Sequence, residues 1–139
     1  MLMNSLVTEQ VQVLANLPPV STTTARTSTP VLLDKFARGL VLVEVGDCSA
    51  SSTVTLLKCA DTNAASSSAI ATAQLGDTGT VGDNKMLLFN ILPEDMFDTA
   101  RPYFAVTIAA GAAQASAKVM GAGMKYSSNS LIGAVTIVR

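Results

Sequence analysis

The chain has 139 residues, enough for one domain with a real hydrophobic core. Apolar residues make up 49% and charged residues only 14%, against about 25% in a typical soluble domain. The surface must therefore be covered by Ser, Thr, Ala and Gly, or by neighbouring subunits. With a net charge of −1 and nine singly scattered Lys and Arg, the chain lacks the basic patch that direct nucleic-acid binding needs. No stretch approaches the ~20 apolar residues of a membrane-spanning helix. The start, Met1 to Val7, has no positive charge ahead of its apolar residues and does not read as a signal peptide, so cytoplasmic synthesis is the expectation.

In chain order, residues 1–28 read as an N-terminal arm or edge segment and residues 29–139 as the domain proper. Val11 to Leu14 can pair as an edge strand, whereas Pro18-Pro19 and Ser21 to Thr24 resist regular structure. Met1, Leu2, Met3, Leu6 and Val7 are apolar enough for an arm that orders against a neighbour; an unstructured tail is the other reading. Leu40 to Gly46 is the clearest alternating run, with Val41, Val43 and Val45 on one side and Leu40, Leu42 and Glu44 on the other. Asp47 to Ser52 reads as a turn, and Thr53 to Lys58 as a strand forming a hairpin with the first.

A loop from Asp61 to Ser68 leads to the alternating Ala69 to Leu75, and Gly76 to Asn84 reads as a turn or loop. Lys85 to Leu92 is almost continuously apolar, which suits a strand covered on both faces. Pro93 to Asp98 has helix-start chemistry, a proline followed by acids, and predicts one or two turns crossing between sheets. Pro102 to Ala109, Gln114 to Met120 and Ile132 to Val138 read as the remaining strands. About eight short strands with polar turns predict an all-β fold: a β-sandwich or jelly roll with an extended N-terminal arm.

Chemistry-bearing constellations are missing. Without histidine there is no Ser-His-Asp or Cys-His arrangement, and serine is too common for a Ser-Lys pair to mean anything. Glu94, Asp95 and Asp98 read as a solvated helix start, and Gly76, Gly79 and Gly82 lack the lysine of a phosphate loop. Asp77, Asp83 and Asn84 do not have EF-hand spacing. Cys48 and Cys59 read as two free thiols, too few for a zinc site. The expectation is no catalytic residue, no metal and no cofactor, in a protein that is not an enzyme. Two tyrosines and no tryptophan count against a sugar-binding platform.

Thr29 to Phe36 is an extended lead-in ending on an aromatic before the first long strand, and Leu40 to Gly46 is a strand closing on Val-Gly. Val54 to Asp61 follows as a strand ending near Asp, and Phe97 to Val106 places Arg101 and Tyr103 at the opening of another. Ala122 to Tyr126, a polar turn and Ile132 to Val135 close the chain. In this order the segments, covering roughly residues 28–139, resemble the capsid decoration (cement) proteins of tailed bacteriophages. The chain departs from them in Ser127, where proline is common, and in having no tryptophan.

The resemblance implies a virion protein on the capsid exterior, made in the host bacterial cytoplasm. It implies dimers or trimers bridging adjacent major capsid protein subunits, without direct nucleic-acid or membrane contact. Candidate interface residues are Met1, Leu2, Met3, Leu6 and Val7 of the arm, the arginines Arg26, Arg38, Arg101 and Arg139, and the tyrosines Tyr103 and Tyr126. A tail or head-fibre component of similar build and a carbohydrate-binding or adhesion module are the alternative expectations.

Overall fold

Alternation buries one side of most strands, and the paired strands then collect the buried sides into one core. The computed structural model describes residues 11–21, 24–48, 51–75, 84–109 and 113–124. Met1, Leu2, Met3, Leu6, Val7, Tyr126, Arg139, most of the 76–84 loop and the strand expected at 132–138 lie outside the described residues.

The strands are β1 (Val11–Ser21), β2 (Arg26–Thr27), β3 (Val31–Leu32), β4 (Phe36–Cys48) and β5 (Ser52–Cys59). They continue with β6 (Ser68–Leu75), β7 (Met86–Ile91), β8 (Tyr103–Ile108) and β9 (Ala113–Met124), and among the described residues the one short helix is α1 (Pro93–Met96). All pairings among the described residues are antiparallel. The first sheet has the order β1-β9-β4-β7; the second has β2-β8-β5-β6, with β3 also on β8. Val41, Val43, Val45, Ala117 and Val119 of the first sheet share a single buried cluster with Val54, Leu56, Phe104, Val106 and Leu75 of the second. Each such valine, leucine or phenylalanine stabilises the fold by roughly 1.5–3 kcal/mol relative to exposure. Among the described residues no helix is long and apolar enough to cross a membrane.

Four expectations need correction. β4 and β5 do not form a hairpin: β4 pairs with β7 and β9, and β5 with β6 and β8. Alternation only requires each strand to bury one side, and a connection that steps from one sheet to the other satisfies it equally well. The turn expected from Asp47 to Ser52 is shorter, because β4 runs to Cys48 and β5 begins at Ser52. β1 runs straight through Pro18-Pro19. It is an edge strand, where a missing N–H is tolerated, and its register shifts between Leu17 and Val20. Finally β7 is covered on one face only; it too lies at a sheet edge, and Met86 and Leu88 stand in solvent.

Between β2 and β3 the ladder along β8 is kept by Ser28. Its N–H donates to the Val106 carbonyl at 2.9 Å, and its hydroxyl oxygen accepts from the Val106 N–H at 3.0 Å. A buried serine thus replaces a backbone partner that the interrupted edge cannot supply.

Candidate interaction surface

The pairing registers place residues on the two outer faces, those turned away from the shared core. On the second sheet Thr27 lies beside Thr107, Thr107 beside Thr55, and Thr55 beside Thr72, a row of four threonines across the strands. The Thr27 and Thr107 hydroxyls are 2.8 Å apart and hydrogen-bonded. Thr53 and Gln74 form the neighbouring pair. Hydroxyls and one amide wet this part of the face without a formal charge, and toward α1 the same face continues with Leu57 beside Ala105 and with Leu32, Tyr103 and Cys59 in one row.

The first sheet presents different chemistry. Its rows read Val13, Met120, Leu40, Asn90; then Asn16, Lys118, Leu42, Leu88; then Ser116, Glu44, Met86. Met86 is 69% exposed and Leu88 57%, while Leu40, Leu42, Val13 and Met120 are half-buried. The only charges within these rows are Lys118 and Glu44, with Arg38 beyond them next to Ala122. The centre of one outer face is therefore a row of hydroxyls, and the centre of the other carries a stripe of leucine and methionine.

A second apolar region lies where α1 crosses between the sheets. Pro93 opens α1 and Glu94 and Asp95 follow in its first turn, as the sequence predicts. An open pocket of about 140 Å³ there is lined by Leu33, Asp34, Ala37, Pro93, Met96 and Phe97. Leu92 and Leu32, beside it in the chain, are 51% and 40% exposed.

This end is fastened by charge. Lys58 Nζ at the end of β5 lies 3.0 Å from Asp98 Oδ2 and 3.4 Å from Asp95 Oδ1. The other Asp98 oxygen accepts from the N–H groups of Ala100 and Arg101 at 3.0 and 3.2 Å. The Lys58 hydrogen bond, helped by these two N–H groups, holds the Asp98 carboxyl below its ordinary value of 3.8. The same bond raises Lys58 above 10.5. A carboxylate with a lowered pKa contributes stability above its unfolded value and loses it as pH falls. A raised lysine contributes fully below 10.5 and loses its share as pH rises through the folded value. Replacing Lys58 with Met should shrink the drop in melting temperature between pH 5 and pH 2, read by circular dichroism; an unchanged drop would contradict the assignment.

The candidate residues that fall in the described segments are not gathered into one patch. Arg38 is exposed at the end of the apolar face. Arg26 turns inward: its Nη1 donates to the Pro18 carbonyl at 2.6 Å and its Nη2 to the Ala115 carbonyl at 2.7 Å. Arg101 Nε donates to the Ser66 carbonyl at 2.7 Å, bracing the loop between β5 and β6. Tyr103 is half-buried on β8, between Leu32 and Cys59 in the register. Cys59 is buried and free, and burial, aided by the negative charge of Asp61, pushes its thiol up.

The sequence reading missed Met86, Leu88 and Leu92. In β7 the outer set, Met86, Leu88 and Asn90, differs from the inner set, Leu87, Phe89 and Ile91, only at Asn90, so periodicity separates the two weakly. Among the described residues no group of three His, Cys, Asp or Glu side chains could hold a metal ion. No protein-family model matches the chain, and a search of curated proteins finds no match.

Proposed function

We propose that the chain is a structural virion protein of two-layer jelly-roll build that binds the outside of a phage capsid and clamps adjacent major capsid protein subunits. The observation that carries this reading is the contrast between the outer faces: threonines on one, Leu40, Leu42, Leu88, Met86 and Met120 on the other. Exposed apolar stripes on small soluble domains mark contact surfaces. The apolar end beside α1 offers a second such surface, so copies associated on the shell through one region can hold capsid subunits through the other.

The order of segments from Thr29 to Val135, which resembles that of capsid decoration proteins, supplies the partner. Packaged DNA pushes shell subunits apart, and a clamp across each junction adds interface that must separate before the shell opens. A standard interface buries about 1,600 Å². Repeated by symmetry, modest contacts add up to strong attachment.

The test is re-addition. Heads assembled without this protein should bind the purified chain in saturable fashion and then release DNA at a higher temperature. Heads that bind it without any gain in the release temperature, or do not bind it, would rule out the clamp.

A further inference from the structure

We infer that the leucine and methionine face of the first sheet is a two-fold interface between two copies of this chain, centred on Glu44 and Lys118. The inference rests on the proposed role, in which copies associate on the shell, and names the surface by which they do so.

The charges select the occupant. Glu44 and Lys118 are on neighbouring strands, β4 and β9, with Glu44 one row beyond the Leu42 that Lys118 lies beside. Neither forms an ion pair among the described residues, where Lys58 accounts for the ion pairs present. A two-fold axis through their midpoint sets Glu44 of each copy over Lys118 of the other. An isologous interface requires such self-complementarity, because each contact occurs twice with the roles exchanged. The surrounding Leu42, Leu88, Met86, Leu40 and Met120 are then covered by their counterparts. The row of threonines, on the opposite side of the molecule, stays in water.

Area sets the strength. Four strands about 4.8 Å apart and the span from Arg38 to Glu44, about 20 Å, give a flat footprint of about 400 Å² per copy. That is about half of the ~800 Å² per partner in a standard interface, so the pair is reversible in solution. Binding to a shell would consolidate it by holding both copies at high local concentration.

The experiment is a charge exchange on the full chain, read by sedimentation velocity over a concentration series, with melting temperature as the check on folding. The native chain should pass from monomer to dimer as concentration rises. Glu44→Lys and Lys118→Glu should each weaken dimerisation by about tenfold or more, since like charges then face each other. The double variant E44K/K118E should return it to within about threefold of native, because the pair is inverted rather than lost. Leu88→Gln, at a side chain already largely in solvent, supplies the same readout should a charge reversal unfold the chain; it should weaken the dimer too.

A native chain that stays monomeric at every concentration overturns the inference. So do single reversals without effect, and a double variant that fails to recover. Binding of the same variants to heads separates the two proposals. Retained binding by a weakened dimer leaves the capsid role standing, whereas lost binding with an intact dimer gives this face to the shell and overturns the inference.

Discussion

Gly121→Ala should destabilise the domain by about 3 kcal/mol, at the upper end of what overpacking a core costs. A Cβ at Gly121 would sit 2.6 Å from Cδ1 and Cδ2 of Phe36. Phe36 is fully buried at the start of β4, and its ring lies against Gly121 of β9, where no side chain is in the way. The ring cannot give way without leaving the core. Phe36→Ala alone should cost about 3–5 kcal/mol through the cavity it opens. The two changes should not add. With the ring gone the new methyl enters free space, and the double variant should recover about 1–3 kcal/mol relative to the sum. Urea unfolding of the four proteins measures this directly. A cost for Gly121→Ala below about 0.5 kcal/mol, inside the range of ordinary surface changes, would show that the ring is not where the packing places it.

Arg26→Met should cost about 2 kcal/mol, a large effect for a residue that is only half-buried. Arg26 belongs to β2 in the second sheet, but its two hydrogen bonds reach β1 and β9 in the first. It therefore ties the two sheets together at the proline bulge of β1, where Pro18 and Pro19 have no N–H to give. Methionine keeps the apolar stem and removes the donors, leaving two carbonyls without them. Lysine, with a single point charge in place of the fork, should recover about half. The loss should fall short of what two fully buried charged bonds would give, because the Pro18 contact is exposed. Equal stability of Arg26→Met and the native chain in chemical unfolding would reduce the contact to a surface accident.

Much of the fold is legible in residue spacing. The alternation of Val41, Val43 and Val45, and of Ala115, Ala117 and Val119, identifies both strands and their buried sides. The proline-acid start of α1 and its place between β7 and β8, on different sheets, follow from Pro93, Glu94 and Asp95. Strand partners are less accessible. Nothing in Val54, Leu56 and their neighbours distinguishes pairing with β4 from pairing with β8, since the buried side is the same in both. The same indifference hides the apolar face. Leu40 and Leu42 are recognisable as outward positions, but only the register sets them beside Leu88 and Lys118. Arg26, a charge expected to meet a partner, also uses donors within the molecule, on the Pro18 and Ala115 carbonyls, which spacing does not reveal.

The chain's low charge is distributed in a way that composition does not reveal. The centre of the second sheet's outer face meets water through Thr27, Thr107, Thr55 and Thr72, and the most exposed large apolar side chains, Met86, Leu88 and Phe97, lie on the first sheet and beside α1. A domain with one wetted face and two apolar regions suits a subunit fixed in a larger assembly, and the proposed assembly is a capsid. The most direct measurement of that claim is the number of copies of this chain in purified, DNA-filled particles, counted by quantitative mass spectrometry against the major capsid protein. A protein that clamps each junction of the shell should be present in hundreds of copies, in fixed ratio to the capsid subunit. A handful of copies, or none, would contradict it.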